Sequence, residues 1–345
     1  MRAKPKNVAR SVAKKTRLLH EQPPPPQPSP ATKHPREKLN LHPRNRHRGR
    51  YDFAELAMAL PALKDFLIAN PFDAAEPTID FANPAAVMAL NAALLKVFYG
   101  VDSWCIPPGY LCPPIPSRAD YVHHAADLLA QNSHGDIPRG SAINVLDIGV
   151  GANCIYPLVG HYEYGWHFVG SEIDTAAIGI AQQIVDASDG LAKVIKLREQ
   201  CSPQKIFEGI IRPDDLFDFV ICNPPFHRNA VEASAGATRK WRNLGVAGKA
   251  SIAGKPEKQT SSPALNFGGQ ATELWCEGGE AGFVCRMVAE SVAWQTQVKW
   301  FSALVSSEHN LPIIYSALRA VDARHVKKID MAQGNKKSRI VAWHF

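Results

Sequence analysis

Four short apolar runs follow one another in the second half of the chain: AINVLDIG (142–149), WHFVGSEID (166–174), AKVIKL (192–197) and FDFVICN (217–223). Runs this short and this continuously apolar are buried on both faces, which is the signature of a parallel sheet. Parallel neighbours need a crossover between them, usually a helix. Residues 174–190 supply one, with Ile178, Ala181 and Val185 on a single face and Gly190 as its cap. A fifth run, VKWFSALVS (298–306), leads into LPIIYSALRAV, a helix that begins at its proline. The chain then reads strand, Gly-Asn turn, strand. The predicted architecture is a doubly wound α/β sheet, mostly parallel, closed by a C-terminal antiparallel hairpin.

The part before this sheet is different. Residues 1–50 carry fourteen Lys/Arg and two Glu, a net of +12, while the whole chain is +7. The basicity therefore belongs to an N-terminal arm, and such an arm suits a polyanion, most obviously nucleic acid. Residues 1–38 are low in complexity and proline-rich, and predict a disordered extension. In LNLHPRNRHRGRYD (39–52) the cations Arg44, Arg46, Arg48 and Arg50 alternate with His42, His47 and Tyr51. That mixture of charge and stacking rings is what an RNA-contacting arm uses. Two short helices broken at Pro61 are expected over 51–70. A helix from the Asn83–Pro84 cap to Gly100, a stiff linker over 106–116 and a helix over 118–130 follow. The domain reading is an extension to 38, an arm and helical region over 39–117, and the sheet domain over 118–345, with a flexible loop at about 244–264. The chain has no apolar run of membrane-spanning length and no apolar signal core. Its seven cysteines form no CxxC pair. They read as reduced thiols of a cytoplasmic protein, without a zinc framework.

Three motifs carry chemistry. In VLDIGVGANC (145–154), Asp147 ends a strand, and Gly149 and Gly151 allow the backbone to approach a ligand closely. A dinucleotide fingerprint would place a third glycine where Cys154 stands. Glu172 ends the next strand, 21 residues beyond Gly151, where an acid can accept both ribose hydroxyls of an adenosine. S-adenosylmethionine and NAD satisfy that pair of features equally. The bend after the fourth strand, Asn223-Pro224-Pro225-Phe226, separates them. A Pro-Pro bend fixes the Asn223 side chain and the Pro224 carbonyl as acceptors for the two N–H bonds of a planar exocyclic amine, and Phe226 offers a face to stack on its ring. Holding the amine in this way aims its lone pair at a methyl donor, which is catalysis by positioning. The order of elements then fits a class I S-adenosylmethionine-dependent methyltransferase (Rossmann-like) fold of seven strands.

Several long stretches in order extend the match. LHPRNRHRGRYDF, DFANPAAVMALNAALL, IPPGYLCPPIPSRADYVHH, LDIGVGANCIYPLVG, CNPPFH, LNFGGQATELWCEGGE and MAQGNKKSRIVAW resemble the bacterial 23S ribosomal RNA adenine-N6 methyltransferase family (RlmF) and, more distantly, the eukaryotic methyltransferase of a spliceosomal small nuclear RNA. The resemblance runs from about residue 39 to 345 and leaves out about 246–262. It implies methylation of N6 of one adenine in 23S rRNA, free or in an assembling large subunit, with S-adenosylmethionine as donor; catalysis by positioning needs no metal, and a monomer is expected. It also implies roles by position: Arg118 at the donor's carboxylate, Gly149 under its methionine part, Glu172 at the ribose, Asn223 with Pro224, Pro225 and Phe226 at the amine, and Arg44, Arg46 and His47 on RNA. The basic turn, Lys336, Lys337 and Arg339, is expected to clamp RNA from the other side of the cleft. Two other readings stand beside this one. A protein-glutamine N5 methyltransferase shares the Asn-Pro-Pro chemistry but has no need of the arm. An RNA-binding assembly factor with a vestigial fold has no need of an intact Gly149, Glu172 and Asn223.

Overall fold

The computed structural model describes residues 38–71, 73–131, 134–225, 276–333 and 336–345. The N-terminal region begins with a 3-10 turn over Arg46–Arg48, followed by helix α1 (Phe53–Ala59), capped by the Asp52 carboxylate on Ala54 N and Glu55 N, and a 3-10 turn over Pro61–Phe66. The chain then forms an antiparallel hairpin, β1 (Leu67–Asn70) and β2 (Asp73–Ile79), which the sequence reading does not anticipate. Neither strand alternates cleanly, and Pro77 sits inside the second, as edge strands allow. Helix α2 (Pro84–Tyr99) starts and stops where its signals stand. The Asn83 side chain accepts from Ala85 N and Ala86 N, and Gly100 closes it in the left-handed region at φ 61°. Helix α3 (Ile115–Gln131) begins three residues earlier than expected and is buried along most of its length.

The sheet follows. Strands β3 (Asn144–Ile148), β4 (His167–Glu172), β5 (Ile195–Glu199), β6 (Phe217–Cys222) and β7 (Val298–Val305) run parallel, while β8 (His325–Gln333) and β9 (Lys336–His344) form the closing hairpin. The order is β5-β4-β3-β6-β7-β9-β8, with β9 antiparallel to both neighbours. This is the expected class I methyltransferase arrangement. Helix α4 (Ile155–Tyr164) connects β3 to β4, and α5 (Thr175–Asp186) with the single turn α6 (Leu191–Val194) connects β4 to β5. Gly190 does not cap α5, which ends at Ala187; at φ 82° it opens α6, so AKV is helical and the strand starts at Ile195. Helices α7 (Gly279–Ser291) and α8 (Leu311–Ala320) flank β7 in sequence. Among the described residues no helix is long and apolar enough to cross a membrane.

Burial explains why the halves of the chain hold together. Leu56, Leu63, Leu90 and Leu94 of the N-terminal region share one core with Tyr121 of α3, Tyr156 of α4 and Val145, Phe219 and Ile221 of the sheet. The opposite sheet face packs Leu146, Val220 and Phe301 against Val284, Met287 and Ile314 of α7 and α8. Strand β3 lies at the point where the order reverses, with β4 on one side and β6 on the other. Ligands of open α/β sheets bind in the crevice at such a point, outside the carboxyl ends of the strands.

One glycine in the sheet makes room for the loop after β3. A Cβ on Gly170 would lie 2.9 Å from Val150 Cγ2 and 3.0 Å from Leu197 Cδ2. Val150 sits between the two loop glycines, so Gly170→Ala is expected to push the loop upward. We expect a loss of about 1–3 kcal/mol of stability from overpacking, read as a lower unfolding midpoint, together with weaker donor binding in calorimetry. Unchanged values for both would contradict this packing.

Candidate active site

The loop after β3 is built from the backbone. Gly149 and Gly151 adopt φ 72° and 63°, which glycine reaches without strain. The N–H groups of Gly149 and Val150 both donate to Ser171 O at 2.9 Å, tying the loop to the end of β4. Cys154, where a dinucleotide loop would carry glycine, takes the left-handed φ of 52° at the start of α4.

Glu172 closes the loop from the β4 side. Its Oε2 accepts from Gly151 N at 2.9 Å, and Oε1 accepts from Ile173 N at 2.8 Å and Asp174 N at 3.1 Å. A carboxylate has roughly four acceptor positions, so three backbone donors leave little more than one. Burial raises the Glu172 carboxyl above the usual range, opposed by those hydrogen bonds. Asp147 lies under the loop, 0% exposed, and neither of its oxygens has a hydrogen-bond partner. Burial and the charge of Glu172 push its carboxyl well above the usual range, and the Arg118 guanidinium pulls it back. An orphaned buried acid is costly, and a cationic partner would relieve it.

Arg118, on α3, reaches across from the other side and is 5% exposed. Its Nη1 donates to Tyr156 Oη and to Asn223 Oδ1, both at 3.0 Å. Asn223, Pro224 and Pro225 form the far wall, directly after β6. These residues line a cleft of about 930 Å³ of free space, open solvent at its mouth included. Of the residues expected at the donor site, Arg118, Gly149, Gly151, Glu172 and Asn223 line the cleft, while Asp147 sits beneath it. Phe226, the loop at 244–264 and the extension up to residue 37 lie outside the described residues.

Further residues line the cleft without a mark in the sequence. Tyr156 and Phe283 stand in the wall, as does Gln200, whose N–H donates to Glu172 O at 2.8 Å. A lone Gln after a strand or a Tyr in a helix carries no local signal. Glu280 carries none either. It is buried and accepts from Ser306 N, Ser306 Oγ, Ser307 N and Asn310 Nδ2, which fixes the start of α7 to the loop after β7.

One residue of the arm needs correction. His47 is 0% exposed, with Nε2 at 2.8 Å from Tyr99 Oη and Nδ1 at 3.0 Å from Tyr51 Oη, so its ring is an anchor in the core and is not presented to RNA. Arg44 donates to Asp127 Oδ1 (2.7 Å), Tyr164 Oη and the His123 carbonyl. Arg46 pairs with Glu163 at 2.7 Å and lies over the Tyr162 ring. These cations are engaged in strapping 38–50 to α3 and α4. Arg339 is likewise buried, bound to Glu308 Oε2 at 2.9 Å and the Ser306 carbonyl. Lys337 is exposed. The register Val305↔Arg339 puts the start of β9, with Lys336 and Lys337, beyond the C-terminal end of β7. That is the sheet edge at which β3 and β6 also end. His42, His124 and Asp127 hold potential ligand atoms within 4.8 Å of one another, but Asp127 gives one oxygen to His42 and the other to Arg44.

Burial lowers His47 to about 3, with Lys38 and Arg46 adding to the effect. The folded state therefore binds fewer protons here than the unfolded chain. The stability this site contributes is present above the unfolded value near 6.5 and is lost as pH falls from there toward 3. Removing the ring as His47→Gln is expected to flatten the fall of the unfolding midpoint between pH 7 and pH 5. A variant with the same pH slope as the unaltered protein would contradict the assignment.

The chain matches known proteins over nearly its whole length. The family described as RNA methyltransferase matches residues 36–345. Ribosomal RNA large subunit methyltransferase F of Ectopseudomonas mendocina is 53% identical over 327 residues, covering 94% of this chain and 95% of that one. The protein of the same name from Stutzerimonas stutzeri is 54% identical over 319 residues, 92% of this chain and 93% of that one. Among solved structures, the human Mettl16 catalytic domain in complex with MAT2A 3′UTR hairpin 1 superposes with a TM-score of 0.72 at 30% identity, over 89% of this chain and 96% of that one. The N-terminal domain of human METTL16 in complex with SAH gives 0.66 at 27% identity, over 88% and 98%. With its glycine loop, its acid at the end of β4 and its Asn-Pro-Pro bend on one cleft, this chain belongs to the RNA methyltransferase family, among the large-subunit ribosomal RNA methyltransferases F.

Proposed function

We propose that the protein transfers a methyl group from S-adenosylmethionine to the N6 amine of one adenine in 23S rRNA. The observation that carries this reading is the side chain of Asn223, held by Arg118 at the end of β6 on the cleft that the glycine loop borders. Its relatives' name, large-subunit ribosomal RNA methyltransferase, supports the substrate class. The neighbour solved with SAH supports the donor, and the one solved with an RNA hairpin supports an RNA target.

The residues fit the donor. Gly149 and Gly151 leave room for close approach, and Glu172 keeps an acceptor position for a ribose hydroxyl. Arg118 is placed for a carboxylate. When bound, S-adenosylmethionine supplies an electrophilic methyl group on a positively charged sulfur. Everything else falls to the chain. Asn223 Oδ1 and the Pro224 carbonyl accept the two N–H bonds of the adenine amine and turn its lone pair out of conjugation, toward the methyl group. Phe226 stacks on the ring. No strong base is required, because the gain comes from orientation and preorganised dipoles, and the proton the amine sheds once the N–C bond has formed passes to water. The adenine must leave its stack to enter the cleft. Lys336 and Lys337, on the rim, are the cations we assign to RNA phosphate, and binding should weaken steeply with salt. Incubating the purified protein with labelled donor and 23S rRNA, bare or carrying ribosomal proteins, tests the reading. Label in N6-methyladenosine is expected. Label in glutamine of a protein, or none, would overturn it.

A further inference from the structure

Helix α3 lies before the sheet in sequence, yet it grips the end of β6 twice, one turn apart. Tyr121 Oη lies 2.8 Å from Ser302 Oγ, 3.4 Å from Cys222 O and 3.5 Å from Cys222 N. Tyr121 is completely buried. It therefore holds the backbone of the residue just before Asn223. Three residues earlier on the same helix, Arg118 Nη1 holds the Asn223 side chain and Tyr156 Oη together. A guanidinium has donors only. The side of the Asn223 amide that faces it must be the oxygen, so Arg118 decides which way round the amide stands. With one lone pair of Oδ1 on Arg118, the other is left for the cleft.

We propose that Arg118 is a positioning residue for Asn223, and that one guanidinium couples the donor's carboxylate to the orientation of the amide that receives the adenine. Nη1 is engaged by Asn223 and Tyr156, which leaves Nη2 and Nε for a carboxylate. The planar fork serves both sides at once, and a lysine, a single point charge, cannot. A donor seated on the fork stiffens the grip on Asn223, so the amide is set before the adenine arrives. The inference rests on the reading of the cleft as an N6 methyltransferase site.

Arg118→Lys in the full chain tests it, with S-adenosylmethionine affinity from calorimetry and turnover on 23S rRNA at saturating donor. The charge is kept, so the affinity should fall modestly. Turnover at saturation should still be down ~10-fold or more, the scale of a misplaced reacting group. In an Asn223→Ala background the same substitution should cost no further turnover, because its effect on rate passes through Asn223. Wild-type turnover at saturating donor would overturn the inference, as would an equal loss in both backgrounds. Should Arg118→Lys fail to fold, Tyr156→Phe carries the test. It keeps the guanidinium and removes one of its two partners; several-fold slower turnover with unchanged donor affinity is expected, and unchanged turnover overturns the proposal. If the unaltered protein leaves no N6-methyladenosine in 23S rRNA, the underlying reading has failed, and not the role of Arg118.

Discussion

Asn223→Ala is expected to fold normally, to bind the donor within a few-fold of the unaltered protein, and to lose about 10²-fold or more in turnover. Fold and binding survive because the bend does not depend on the side chain. Pro224 and Pro225 stiffen it, and Tyr121 with Ser302 secures Cys222 from behind. Arg118 loses one acceptor but keeps Tyr156. What disappears is the amide oxygen that meets the N–H of the target amine, and with it the alignment of the lone pair. Single-turnover measurements at saturating donor read this loss directly, and the unfolding midpoint and donor calorimetry serve as controls. A variant that methylates at the original rate would mean that some other group orients the amine.

Glu172→Ala is the second large effect, and it falls on binding. The substitution removes the acceptor of three backbone N–H groups, Gly151, Ile173 and Asp174, and the position left for a ribose hydroxyl. The charge-assisted hydrogen bond to that hydroxyl carries about 1.5–3 kcal/mol, so donor affinity should fall by roughly 10- to 150-fold. Glu172→Gln should lie between the two. Its amide oxygen can keep Ile173 and Asp174, but its NH₂ would then face the Gly151 N–H, donor against donor. Calorimetry showing equal donor affinity in all three proteins would contradict the assignment.

The parts of this protein that were legible in the sequence are those whose causes are local. The runs at β3, β4, β6 and β7 are apolar because both of their faces are covered, and Asn83 and Gly100 mark the ends of α2 by their own side chain and φ. The bend at Asn223 announces itself through two prolines. The hairpin β1–β2 was hidden because half-exposed edge strands lack a period. His47 was read as an RNA contact for a different reason. A histidine looks the same whether it meets phosphate or protein, and what decides for His47 is Tyr99, 52 positions away. Likewise Arg118 and Asn223 stand 105 positions apart, and only the packing of α3 against the sheet brings them within hydrogen-bonding distance.

The most direct test is nucleoside mass spectrometry of 23S rRNA from a strain lacking the gene, and from that strain carrying either the unaltered gene or the Asn223→Ala form. Deletion should remove N6-methyladenosine from one position, the unaltered gene should restore it, and the Asn223→Ala gene should not. An unchanged N6-methyladenosine content on deletion, or full restoration by Asn223→Ala, would contradict the assignment of this cleft to adenine N6 methylation.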